Sequence, residues 1–203
     1  MIKNVIFDFG NVLLEWDEDK IASNYSTNKE EQEILKEVIF MSDEWVKLND
    51  GSINCQDAIL IFKEKLPTNL KNRVEEIMNE WYKTMPINQE ICNLIMELKK
   101  NNYKVYALSN TLISVYEYVK NLEIGKYFDG FLISAVEKMM KPNEEIYYRL
   151  FEKFELVPEE CFFIDDSEKN IEASRKCGME GHIFNIKDFQ KLIEELNKNN
   201  ISV

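Results

Sequence analysis

A chain of 203 residues can bury one substantial core, or a core with a small insert, and 45% hydrophobic with 31% charged residues is the mix of an ordinary globular protein. With 37 acidic against 25 basic residues, the net charge of −12 argues against nucleic acid and anionic membranes as partners. The same field repels phosphate, so a phosphate site here must bring a metal ion or a local lysine.

In chain order, Val5-Ile6-Phe7 is a short apolar run ended by Asp8-Phe9-Gly10-Asn11, the pattern of a buried strand entering a loop. The stretch from Trp16 to Met85 is far longer than a simple crossover and is itself helical. Asn28 with Glu31 has the form of a capping box, and Leu66-Pro67-Thr68-Asn69 punctuates the start of a helix carrying Val74, Ile77, Met78 and Trp81 on one face. The segment is expected to form a lid built into one loop. Met85-Pro86 marks the return to the core, and Ile91, Leu94, Ile95 and Leu98 follow at helical spacing. Further strands are expected at Val105–Leu108, Phe131–Ile133, Cys161–Ile164 and, more weakly, Gly181–Phe184. The helices of Ile146–Phe154 and Phe189–Leu196 fall between and after them. Alternation of strands with amphipathic helices predicts an α/β fold, a mostly parallel five-stranded sheet in a three-layer α/β/α core. The predicted division is a core of residues 1–15 and 86–203 with a helical insert of residues 16–85.

The four cysteines, Cys55, Cys92, Cys161 and Cys177, show neither C-x-x-C nor zinc spacing and read as small apolar side chains. No secretory leader and no run long enough to span a membrane are visible, so the expected location is the cytoplasm.

Open α/β sheets bind ligands at the carboxyl ends of their strands. Asp8, Gly10 and Asn11 follow the first strand, Ser109-Asn110-Thr111 the second, and Asp165-Asp166-Ser167 the fourth, with Lys141-Pro142 before a helix in between. Three carboxylates, Asp8, Asp165 and Asp166, would converge there and repel one another unless a cation intervenes. An all-oxygen donor set suits Mg²⁺. Ser109 and Lys141 are placed to meet phosphoryl oxygens, while Asn110 or Thr111 reads as the N-cap of the helix near Ile113. The single histidine, His182, reads as structural, and there is no G-x-S-x-G elbow, P-loop or dinucleotide fingerprint.

The ordered set Val5-Ile6-Phe7-Asp8-Phe9-Gly10-Asn11-Val12-Leu13, Leu108-Ser109-Asn110-Thr111, Lys141-Pro142 and Phe162-Phe163-Ile164-Asp165-Asp166-Ser167 resembles the haloacid dehalogenase-like hydrolase superfamily along essentially the whole chain. The form Asp-Phe-Gly-Asn-Val is similar to bacterial sugar-phosphate phosphatases of that superfamily, notably a glucose-1-phosphate phosphatase. The 16–85 insert looks like the helical cap of one large subclass. The resemblance implies a Mg²⁺-dependent phosphatase of a small phosphorylated metabolite, a monomer or weak homodimer. Asp8 would be its nucleophile and a metal ligand, with the Gly10 carbonyl and Asp166 completing the ligands and Asp165 assisting. Ser109 and Lys141 would hold phosphoryl oxygens, Asn110 and Asn11 would contribute to substrate binding, and Asn170 would support the loop. Gly10 departs from the pattern, because most family phosphatases carry an acid/base aspartate there. Glu15, Asp17 or a cap residue is the expected substitute, and an acidic leaving group, such as the hemiacetal oxygen of a sugar 1-phosphate, would need one less. Dehalogenases of the family also lack that aspartate; a 2-haloacid dehalogenase, a phosphomutase and a catalytically silent phosphate-binding protein are the other readings.

Overall fold

The computed structural model describes all 203 residues, Met1–Val203. Strand β1 (Asn4–Phe7) is followed by α1 (Glu18–Ser23), α2 (Lys29–Leu35), a π-helical turn over Lys36–Phe40, α3 (Asp43–Asn49), α4 (Cys55–Lys65), α5 (Thr68–Lys71) and α6 (Val74–Glu80). Only then does α7 (Gln89–Lys100) lead to β2 (Lys104–Ser109). The rest alternates: α8 (Ile113–Asn121), β3 (Gly130–Ile133), α9 (Ser134–Glu137), α10 (Glu144–Phe154), β4 (Cys161–Asp165), α11 (Glu168–Lys176), β5 (Glu180–Ile183) and α12 (Phe189–Lys198). The strands form one all-parallel sheet in the order β3-β2-β1-β4-β5, as the alternating pattern predicts.

Side chains alternate across a strand, so a sheet covered on both faces sorts its residues into two apolar layers. Val5, Phe7, Val105, Ala107, Phe162 and Ile164 belong to one cluster, together with Ile91 and Ile95 of α7, Val115 of α8 and Leu192 of α12. Ile6, Tyr106, Leu108 and Phe163 belong to the other, with Ile146, Tyr147 and Leu150 of α10 and Ile171 of α11. These are the three layers. The helices between β1 and α7 contribute Ile39, Trp45, Phe62, Ile77 and Trp81 to the first cluster, so the apolar interior runs without a break from sheet to insert.

Several local expectations change. Asn28 does cap α2, accepting from the Glu30 N–H at 2.9 Å, but Glu31 is taken by the Ser26 hydroxyl and the Asn69 amide, so the box is not reciprocal. Pro67 opens only the short α5, and the chain restarts as α6 at Val74. The helix after β2 has Leu112 at its N-cap and no side-chain cap: the Asn110 amide is bonded to Lys141, and Thr111 precedes the N-cap with its N–H donated to Ser134. All four cysteines are free, three of them buried.

The parallel register pairs Phe7 with both Ala107 and Ile164. The Asp8 N–H continues this ladder, donating to the Ile164 carbonyl at 3.0 Å, so Asp8, Ser109 and Asp165 emerge along one edge of the sheet.

Candidate active site

Lys141 organises this edge. Its ammonium lies 3.0 Å from Asp8 Oδ1 and 2.6 Å from Asp165 Oδ2, and donates to the Leu108 carbonyl at 3.0 Å, so its three donors meet three acceptors while the residue is 3% exposed. Asn110 holds the lysine's backbone from both sides, its Oδ1 accepting from the Lys141 N–H (2.9 Å) and its Nδ2 donating to the Lys141 carbonyl (2.8 Å). Asp165 is fully buried and fully bonded: besides Lys141 it accepts from the Ser167 N–H (2.8 Å) and from Asn170 Nδ2 at 2.9 and 3.1 Å. Asp166 is exposed, and its Oδ2 accepts from Asn11 Nδ2 at 2.9 Å. Asn11 sits in the left-handed region at φ 51°, where a short polar side chain is tolerated, and its Oδ1 accepts from the Trp16 N–H at 3.1 Å.

Burial raises the Asp8 carboxyl, Lys141 lowers it, and Asp165 raises it again, while the Ser109 hydroxyl beside it lowers it; the balance is a pKa of about 6. For Lys141, burial pulls downward, but Asp165 and Asp8 outweigh it and the ammonium is held charged. Asp166 is raised, first by burial and then by Asp165, against the hydrogen bond from Asn11. The cluster is thus short of positive charge. Carboxylate oxygens of Asp8, Asp165 and Asp166 lie within 4.8 Å of one another, a donor set suited to a hard divalent cation. Asp165, with its hydrogen bonds already made, is the least available of the three.

Phe9, Gly10, Ser109 and Asn110 line one side of a cleft of about 160 Å³. Opposite them stand Trp16, Trp45 and Trp81, which with Phe40 make a four-ring cluster whose six centroid separations run from 4.9 to 6.0 Å. The π-helical turn presents Phe40 to this cluster. A β-carbon added at Gly10 would meet nothing within 4 Å, so the position faces open space.

The family model for haloacid dehalogenase-like hydrolases matches residues 2–178. The chain belongs to this family. Among curated relatives, it is 24% identical over 200 residues to the phosphorylated carbohydrates phosphatase of Thermotoga maritima, covering 94% of this chain and 89% of that one. It is 26% identical over 193 residues to the D-ribitol-5-phosphate phosphatase of Bacteroides thetaiotaomicron, covering 89% and 90%. A HAD family enzyme of the same bacterium, solved in complex with magnesium and inorganic phosphate, superposes with a TM-score of 0.70 at 25% identity over 92% of this chain and 96% of that chain.

Against this family frame, the structure brings Asp8, Ser109, Lys141, Asp165 and Asp166 to one strand edge, with Gly10 lining the cleft. Of Asn11 and Asn110, each amide makes one donor and one acceptor bond within the protein and so fixes a charged neighbour, which leaves the second Nδ2 hydrogen of each uncommitted, and Asn110 lines the cleft. Glu15 and Asp17 do not stand in for the missing carboxylate. Asp17 caps α1 by accepting from the Lys20 N–H (3.0 Å), Glu15 pairs with Lys20 at 3.9 Å, and neither lines the cleft. Trp45 and Trp81 are 8% and 2% exposed, packed in the interior, and also line the cleft. Two participants escaped sequence reasoning. Ser134, fully buried, donates its hydroxyl to the Asn49 carbonyl and accepts from the Thr111 N–H at 2.8 Å, tying the insert to the strand edge. Asn49 itself lines the cleft. Neither lies in a motif; the concentration of all three tryptophans in or beside the insert was the one available signal.

Proposed function

We propose that the chain is a Mg²⁺-dependent phosphatase of small phosphate monoesters, sugar phosphates among them, working through an aspartyl phosphate on Asp8, with residues 16–85 as a cap over a core of 1–15 and 86–203. The observation that carries this reading is the setting of Asp8. It is a buried strand-end carboxylate, 3.0 Å from the Lys141 ammonium, flanked by Ser109 and Asp166, and it adjoins residues that line the cleft. The named activities of the Thermotoga and Bacteroides relatives support the substrate class.

Asp8, the Gly10 carbonyl and Asp166 would hold the ion. When bound, Mg²⁺ supplies positive charge that offsets the carboxylates and draws phosphoryl oxygens toward the nucleophile. The Phe9 N–H donates to Asp8 Oδ1 at 2.7 Å and Lys141 contacts the same oxygen, which fixes the carboxylate's orientation and leaves Oδ2 to attack. Attack on phosphorus opposite the ester oxygen forms the Oδ2–P bond as the P–O ester bond breaks. Ser109 meets the charge that grows on the phosphoryl oxygens, and the buried Lys141 ammonium, its donors already spent, offsets that charge from beside Asp8. The leaving oxygen takes its proton from water, since no acidic side chain lines the cleft. A second water attacks phosphorus, loses its proton to solvent and breaks the Oδ2–P bond, returning the carboxylate. Dividing the transfer in two lowers each barrier.

Phosphate release from a monoester panel tests this. Asp8→Asn is expected to cut turnover by about 10³-fold or more while the far-UV spectrum stays native. Retained turnover in that variant removes Asp8 as nucleophile, and halide release from 2-haloacids in the presence of a chelator would make the protein a dehalogenase instead.

A further inference from the structure

The cleft next to Asp8, lined by the following residues Phe9 and Gly10, has an unusual composition for this chain. Charged residues make up 31% of the sequence, yet none lines the cleft. Beyond Ser109 and Asn110, which belong to the strand edge, the side chains there are mainly apolar, led by Trp16, Trp45 and Trp81, with Asn49 and Thr111 as the polar exceptions. Asn49 spends its amide N–H on the Trp45 carbonyl at 2.8 Å. The indole N–H of Trp81 has no partner at all.

A second phosphate or a carboxylate on the substrate would enter this cleft without a counter-ion, inside a protein of net charge −12, and would lose its hydration for nothing in return. A flat group bearing C–H bonds would gain instead, against the partly exposed ring of Trp16 and the edges that Trp45 and Trp81 present to the cleft. Resting on the phosphatase reading above, we infer that the substrate is a singly phosphorylated molecule whose remainder is uncharged and lays an apolar face, an aromatic ring or the C–H face of a sugar ring, on the Trp45–Trp81 wall. Trp45 and Trp81 are then specificity determinants, and bisphosphates and phosphorylated carboxylic acids are excluded by charge.

Phosphonates test this without turnover. Benzylphosphonate, methylphosphonate and phosphonoacetate would be titrated calorimetrically into the wild-type protein with Mg²⁺, while tryptophan emission is followed. All three tryptophans line this cleft, so emission reports on it alone. Benzylphosphonate is expected to bind about tenfold tighter than methylphosphonate and to change the emission, with phosphonoacetate no tighter than methylphosphonate. Phosphonoacetate binding as well as benzylphosphonate, or benzylphosphonate binding with unchanged emission, overturns the inference. In Trp45→Ala the benzyl advantage should fall about fivefold with methylphosphonate held within about twofold, and Trp45→Phe should keep most of it. An equal loss for all three ligands would also overturn it. The wild-type series needs no variant to fold. Absence of phosphate release from benzyl phosphate would remove the phosphatase reading, whereas the phosphonate affinities judge the cleft separately.

Discussion

The two sides of the cleft are built from opposite materials. On the strand-end side, charged and amide groups are tied down by several bonds each: Lys141 by three, Asp165 by four, Asn110 and Asn11 by two. On the insert side, rings pack against rings, and the indole N–H of Trp81 and the hydroxyl of Tyr25 are buried without partners. A charge network holds reacting groups to a fixed geometry because each buried charge is costly unless met. An aromatic wall selects by shape and contact area. In the function proposed above, the contrast gives the chemistry to the core and the selection of the leaving group to the insert, and each half can be perturbed separately.

The largest effect is expected on the core side. Lys141→Met leaves Asp8 and Asp165 buried without their cation and should lower stability by about 3–5 kcal/mol, read from urea unfolding, with loss of turnover. A stable variant would show that the carboxylates are compensated by something other than the lysine.

Next comes the seam between the halves. Gly51 has φ 73°, and a β-carbon there would lie 2.3 Å from the Ala135 carbonyl oxygen, so Gly51→Ala should cost about 2–3 kcal/mol. If the insert's seat sets the cleft, KM should rise more than kcat falls. Unchanged KM would argue that the insert closes on the core without that contact.

Gly10→Asp tests the boundary from the opposite direction, by adding chemistry. The site is open to a side chain, and a carboxyl group there should raise turnover of an alkyl phosphate by about tenfold while changing an aryl phosphate by about twofold or less. An equal response of both esters would mean that proton supply to the leaving group does not limit the reaction.

The smallest effect is one of pH. The Asp8 pKa is raised to about 6, so the native state binds this proton more tightly than the unfolded chain does. Its contribution to stability without metal is therefore full below the ordinary carboxylate range and is lost as pH rises through about 6. Mg²⁺ competes with that proton, so the rise in Tm on adding Mg²⁺ should grow as pH increases through the same range. A rise independent of pH would detach the ion from Asp8.

Much of this was legible in one dimension because its signals are local. A strand buried on both faces must be apolar throughout, so Val5-Ile6-Phe7 and Phe162-Phe163-Ile164 declare themselves, and the polar residues that end them mark the ligand-binding edge. Amphipathic spacing identified α7, α10 and α12 for the same reason. The roles of amides were not legible. Asn110 was read as a helix cap or a substrate contact; it caps no helix and clamps the Lys141 backbone, because an amide bonds to whatever the fold brings within reach.

The amino-acid sequence by itself therefore determined the alternation of elements, a mostly parallel sheet and the residues that could carry charge at its edge, since periodicity and strand ends depend only on near neighbours. The tertiary structure decided how those charges are shared, that no side chain fills the space beside Gly10, and that three tryptophans far apart in the chain form one uncharged wall. Such long-range juxtapositions follow from how the insert packs on the sheet, a property of the whole fold that no single segment encodes.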